Sequence, residues 1–264
     1  MERQLGAVSW WGQLGNFFNR IANPSVFMRF SEWFLYVLAV VAFVCFVSSL
    51  YLVYNSPPDL KHGHNVKMMF VHVPAAWISM MGYSVIFFSS IGYFVWRHPL
   101  ADVSAQAAAP IGAAFTFLAL VTGSLWGKPG WGTYWEWGEP RIMSVLILFF
   151  LYLGLMALRQ AIEDRHQAAI SCSVLGMVGF IIVPIIKFSV DWWNTLHQPA
   201  SVLTSEGSKM ASVYQNPLLI MGLGFTLLFF WLHFKKMRIE ILRRRVLTLQ
   251  MSQVERASHQ QAAE

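Results

Sequence analysis

Residues 126–141 read Trp126-Gly127-Lys128-Pro129-Gly130-Trp131-Gly132-Thr133-Tyr134-Trp135-Glu136-Trp137-Gly138-Glu139-Pro140-Arg141, and they separate two long apolar runs, 106–125 and 142–158. Four tryptophans and a tyrosine are far more aromatic surface than a turn requires. Trp and Tyr also concentrate where a membrane meets water. The stretch therefore reads as an aromatic platform at a membrane surface, suited to a large, planar, mostly apolar ligand. Its flanks decide the fold, because a run of about 20 apolar residues crosses the hydrocarbon core as one helix.

Four further runs of this kind, 33–53, 68–95, 168–190 and 217–234, bring the total to six. None alternates in polarity as an outer-membrane strand does. The chain is 56% hydrophobic and only 12% charged. It is thus an all-α polytopic membrane protein with six transmembrane helices, short loops, and the tryptophan-rich loop between helices 3 and 4.

Sidedness follows from Lys and Arg. With the N-terminus inside, the inner segments hold Arg3, Arg20, Arg29, Arg97, Arg159, Arg165 and a tail of Lys235, Lys236, Arg238, Arg243, Arg244, Arg245 and Arg256. The outer segments hold only Lys61, Lys67, Lys128, Arg141, Lys187 and Lys209. The positive-inside rule then places both termini in the cytoplasm. The net charge of +6 is explained by this topology and by anionic membrane lipid, with no nucleic-acid partner expected.

Three regions result. Residues 1–32 form a cytoplasmic segment in which Trp11, Leu14, Phe17, Phe18 and Ile21 predict an amphipathic helix within 10–30, lying on the inner leaflet. Residues 33–234 form the six-helix domain, and 235–264 a basic cytoplasmic tail. The first apolar run starts too late and is too long for a cleavable signal. Cys45 and Cys172 fall inside helices 1 and 5 as small packing residues. No Cys-x-x-Cys-His occurs for covalent attachment of a c-type haem.

In this topology the first, third and fifth loops face outward. His72 falls in the first outer turns of helix 2, within Phe70-Val71-His72-Val73-Pro74. His197 lies in the fifth loop, within Asp191-Trp192-Trp193-Asn194-Thr195-Leu196-His197-Gln198-Pro199. Two neutral imidazoles can supply both axial ligands of a haem iron while aromatic walls cover the porphyrin. Each residue also has a plainer reading. A histidine at a helix end commonly bonds a backbone carbonyl, and Trp131, Trp192 and Trp193 would suit an interfacial belt. His62 and His64 read as solvated loop residues, and His98, His166, His233 and His259 as incidental inner-side residues.

Lys128 and Arg141 bracket the tryptophan loop and are candidate contacts for the two haem propionates. Equally, Arg141 could cap helix 4 or pair with Glu139, and Lys128 could snorkel. The spacing leaves Glu136 and Glu139 undecided between supporting the site and docking a partner.

The string Trp126-Gly-Lys-Pro-x-Trp131-Gly-Thr-x-Trp135-x-Trp137, followed by an Arg and a long apolar helix, resembles the WWD haem-handling membrane proteins, and among them the CcmC family. Val71-His72-Val73-Pro74-Ala75-Ala76 and Trp192-Trp193-Asn194-Thr195-Leu196-His197-Gln198 resemble that family's two other outer motifs, so the likeness covers about 33–234. It implies a protein of the bacterial inner membrane that binds haem b as transient cargo at its periplasmic face. It further implies delivery to the haem chaperone CcmE beside the ABC-type proteins CcmA and CcmB and the small protein CcmD. By motif position, His72 and His197 would be the axial ligands to the iron. Trp126, Trp131, Trp135 and Trp137 would form the platform. One departure stands out: Trp137-Gly138-Glu139-Pro140-Arg141 is one residue longer than the family's Trp-x-Trp-Asp-x-Arg and carries Glu for Asp.

No acid–base pair or nucleophile suggests enzyme chemistry. A haem-b electron carrier would bury its histidine pairs deep in the bundle. A transporter moving haem or another amphipathic ligand through the chain itself would call for polar or broken helices at the midplane, and Pro184 is only a modest break.

Overall fold

The computed structural model describes residues 23–60, 62–198, 201–202 and 207–261. Among these, six helical stretches are long and apolar enough to cross a membrane, and no strand is present. In chain order the helices are α1 Pro24–Asn55, a 3-10 turn His64–Met68 leading into α2 Met69–Trp96, then α3 Pro99–Trp131, α4 Pro140–Ala161, α5 Arg165–Gly179, α6 Ile182–Trp192 and α7 Ser212–Gln261. Together α5 and α6 make the fifth span. Each expected span lies within one of the six stretches, the second entering through the 3-10 turn. The residues that suggested an amphipathic helix, Trp11 to Ile21, lie outside the described residues, and 24–30 belong to the start of α1.

Helix ends are set by local chemistry. The first N–H groups of a helix lack intrahelical partners and take side-chain acceptors, and Pro suits the first position because it has no N–H to satisfy. Asn23 caps α1 ahead of Pro24, Glu139 caps α4 ahead of Pro140, and Asp164 accepts from Gln167 N at 2.6 Å to cap α5. Between α2 and α3 only Arg97 and His98 intervene. Arg97 turns the chain in the left-handed region at φ 53° before Pro99 starts the next helix.

The fifth span breaks where Pro184 predicts. Lacking an N–H, Pro184 leaves the carbonyl of Phe180 without its i+4 donor, and its ring would collide with that carbonyl. Val183 N takes Phe180 O instead, at 3.0 Å, and the helix interrupts at Phe180–Ile181.

Between the helices, small residues admit large aromatics. Tyr152 on α4 is fully buried, its hydroxyl donates to Ser79 O on α2 at 2.7 Å, and a Cβ at Gly112 on α3 would stand 2.2 Å from its ring. In lipid, where burial of apolar surface drives little helix association, such close approach and interhelical hydrogen bonds hold a bundle together. By contrast, α1 turns Tyr36, Val40 and Phe43 outward, as a lipid-facing helix does.

The face opposite the tryptophan loop carries a polar staple. Asp102 on α3 accepts a bidentate pair from Arg159 on α4, at 2.6 and 2.7 Å, and a third bond from Arg244 on α7 at 2.7 Å. On the same side α7 buries His233 at 2% exposure, stacked 5.6 Å from Phe229 and 3.2 Å from Ser104 Oγ, as a packing residue. It sits one turn from Phe229 on the buried side of α7. Both cysteines are free thiols.

Candidate functional site

α3 does not stop at Leu125 but runs on through Trp131, so the tryptophan stretch begins as helix. It ends at Gly132, whose φ of 78° is the left-handed conformation that terminates helices. Gly132 N bonds Lys128 O at 3.0 Å, and Lys128 Nζ returns to Gly132 O at 2.8 Å. Trp126 and Trp131 therefore ride on the last turns of a rigid element. Residues 133–138 form the true loop, folded around Thr133, whose hydroxyl bonds both Trp135 O and Trp135 N.

His72 lies in the first turn of α2 and faces α3. Its Nδ1 is 3.0 Å from Ala119 O and 3.2 Å from Thr122 Oγ1, and the Thr122 hydroxyl itself donates to Leu118 O at 2.7 Å. A carbonyl only accepts, so Nδ1 carries the proton and Nε2 keeps its lone pair. Trp126, one turn beyond Thr122, sets its ring 5.7 Å from His72.

His197 is held from the other side. Glu139, 2% exposed, accepts from His197 Nδ1 at 3.0 Å, from Leu196 N at 2.8 Å and from the Thr195 hydroxyl, besides capping Arg141 N at 3.4 Å. Trp131 packs 4.8 Å from the His197 ring. Burial holds the His197 pKa below the usual imidazole value, outweighing the Glu139 carboxylate that favours the charged ring. For Glu139, burial opposes ionisation, but the hydrogen bonds from Thr195, Leu196 and His197 prevail and keep its pKa below the ordinary carboxylate range. His197 is thus a neutral imidazole with Nδ1 committed to Glu139 and Nε2 available.

One helix end, through Trp126 and Trp131, touches both imidazoles. Trp135 and Trp137 pair at 5.6 Å, with Trp137 72% exposed. Among the described residues, the buried indole N–H groups of Trp126 and Trp135 have no hydrogen-bond partner. The cations divide. The Arg141 Nε–H donates to Ser189 Oγ on α6 at 3.1 Å, while Lys128 caps its own helix and stands 5.1 Å from the Tyr134 ring. An ammonium has three donors and a guanidinium five, so both retain capacity for a carboxylate.

Two residues gain weight over the sequence reading. Glu139 joins the third and fifth loops, a contact across 58 residues that spacing does not reveal. His62, expected to be solvated, is half-buried with its ring 6.3 Å from Trp126. Its backbone N–H donates to Asp59 at 2.8 Å in a tight turn, and the Asp59…Gly63 pattern is the signal that could have found it. Trp192 and Trp193 remain about half exposed and fit the interfacial-belt reading.

A family model described as heme exporter protein C matches residues 17–252. Heme exporter protein C of Bradyrhizobium diazoefficiens is 56% identical over 236 residues, covering 89% of each chain. The protein of that name from Paracoccus denitrificans is 42% identical over 229 residues, 86% of this chain and 95% of its own. Its Haemophilus influenzae namesake is 44% identical over 188 residues, 71% and 76% respectively.

Proposed function

This chain belongs to the heme exporter protein C family, and we propose that it holds haem b as transient cargo at its tryptophan face and passes it to the chaperone CcmE. The observation that carries this reading is the pair of imidazoles with committed Nδ1 atoms, His72 on Ala119 and His197 on Glu139, joined by indoles of one helix end. Two such ligands suit an iron whose equatorial positions a porphyrin already fills.

In this reading His72 and His197 bind the iron axially. Trp126 and Trp131 back the ligands, Trp135 and Trp137 extend the platform outward, and Lys128 and Arg141 meet the propionates. Two axial imidazoles block oxygen chemistry at the iron during holding. Release follows from the unequal footing of the ligands: His72 is fixed in a helix, whereas His197 sits in a loop, so docking of the chaperone displaces His197 first. The site faces the periplasmic side of the bacterial inner membrane, both termini are cytoplasmic, and the ABC-type proteins CcmA and CcmB and the small membrane protein CcmD assemble beside the chain. The chemistry asked of the chain is binding and presentation rather than catalysis.

Absorption spectra of detergent-purified protein test the assignment. Six-coordinate haem in the wild type, altered in both His72→Ala and His197→Ala, supports it. Haem left unchanged by either substitution, or no uptake on reconstitution, overturns it.

A further inference from the structure

Glu139 is the meeting point of four donors. Thr195 Oγ1 accepts from His197 N at 3.1 Å, so its own hydroxyl proton points to the carboxylate. Arg141 N and Leu196 N are backbone donors aimed at Oε1 and Oε2, at 3.4 and 2.8 Å. Three donors converge on Oε1 and one on Oε2, and hydrogen bonds donated to a carboxyl group favour its charged form, so the group is held as an anion that only accepts. The fourth contact, His197 Nδ1 at 3.0 Å, must then carry a proton. The arithmetic of donors and acceptors fixes the tautomer of a residue 58 positions away.

We infer that Glu139 is the positioning residue of His197: its buried carboxylate locks the Nδ1–H tautomer, aims Nε2 at the iron, and strengthens that nitrogen as a donor, which sets the reduction potential of bound haem. The inference rests on the axial role proposed for His197. A carboxylate drawing on the Nδ1 proton pushes electron density toward Nε2. It therefore favours ferric over ferrous iron and lowers the potential, a known lever on haem proteins. His72 lacks this. Its Nδ1 faces a neutral carbonyl, so the two ligands are electronically unequal. The same carboxylate fastens Thr195, Leu196 and His197 to the cap of α4. Loss of that anchor would loosen ligand and loop together.

The experiment is potentiometric titration of haem-loaded full-length protein in detergent, with spectra and haem affinity, for wild type, Glu139→Gln, Glu139→Asp, His197→Ala and the Glu139→Gln/His197→Ala double variant. Glu139→Gln keeps the shape but removes the charge. It is expected to shift the midpoint potential positive and weaken haem binding roughly 10- to 100-fold, the usual range for groups supporting metal ligands. Glu139→Asp keeps charge and helix cap while withdrawing from the ring. It gives a smaller shift of the same sign and stands in should Glu139→Gln fail to accumulate. In the His197→Ala background, Glu139→Gln adds no further shift, because the route through the imidazole is gone. An unchanged potential in both Glu139 variants, alongside a spectrum that His197→Ala does alter, overturns the inference and leaves the haem reading standing. A shift that persists undiminished without His197 overturns it too, by showing a general field effect. A spectrum indifferent to His197→Ala removes the haem reading and this inference with it.

Discussion

A Cβ built on Gly123 of α3 would stand 2.8 Å from Cε1 of His72 on α2, so the imidazole occupies space that only glycine leaves open. Gly123→Ala forces the ring to move. Overpacking of this kind costs about 1–3 kcal/mol. Here the ring is held at 3.0 Å on Ala119 O, and displacement breaks that bond as well. The expected outcome is a protein that still inserts and purifies but whose haem spectrum loses the character of two axial nitrogens. Visible spectroscopy after reconstitution checks it, with Gly154→Ala, where no atom lies within 4 Å, as the control.

Trp131 and Trp137 should separate binding from presentation. Trp131 packs on His197, and aromatic contacts of this type contribute about 0.5–1.5 kcal/mol beyond burial. Trp131→Leu should therefore weaken haem binding by roughly two- to tenfold. Trp137 is 72% exposed, so Trp137→Ala should change stability by no more than about 0.5 kcal/mol. Its effect should fall on haem transfer to the chaperone. Haem titration and a transfer assay on both variants make the comparison.

Acidification should act through His197. Its pKa lies below the ordinary value of about 6.5, chiefly because burial disfavours the imidazolium. In the unfolded chain the ring binds a proton on falling through about pH 6.5, and in the folded chain only at lower pH. The stability contribution of the neutral ring is thus full above about pH 6.5 and declines as pH falls below it toward the folded value. Glu139 has a lowered pKa as well and keeps its grip until more acid conditions, below the ordinary carboxylate range. Haem retention should be flat from about pH 8 to 6.5 and fall at lower pH. Soret absorbance against pH gives the profile.

The staple on the opposite face should matter for stability and not for haem. Asp102 is 6% exposed and satisfies both Arg159 and Arg244. Removing one member of a buried ion pair costs up to about 3–5 kcal/mol. The partial exposure of Arg159 and Arg244, at 15% and 24%, reduces that figure. Asp102→Ala is expected to lower the Tm in detergent while the haem spectrum of surviving protein stays unchanged.

The six spans were legible because apolar length is a strong, local signal, and each expected run falls within one helical stretch, the fifth divided between α5 and α6. Boundaries were less so. The apolar run ends at Leu125, yet helix geometry continues to Gly132, because a positive-φ glycine and not a change of polarity ends α3. Among site residues, the two histidines and the indoles stood out by type and motif. Glu139 did not, because its work is done across a gap of 58 residues between two loops, and nothing local distinguishes a capping glutamate from a clamp. His62 escaped for a related reason: the fold of its short turn, and not its composition, brings it to Trp126.

α7 is one helix of 50 residues, about 75 Å at 1.5 Å per residue, against a hydrocarbon core of about 30 Å. Near its start Tyr214 donates to Pro57 O at 3.2 Å, and far along it Arg244 grips Asp102. The fifth span, interrupted at Phe180–Ile181, can absorb a tilt at its joint. An unbroken shaft has no such joint, so a tilt of α7 at the surface that carries the tryptophans is carried through to the other side of the membrane.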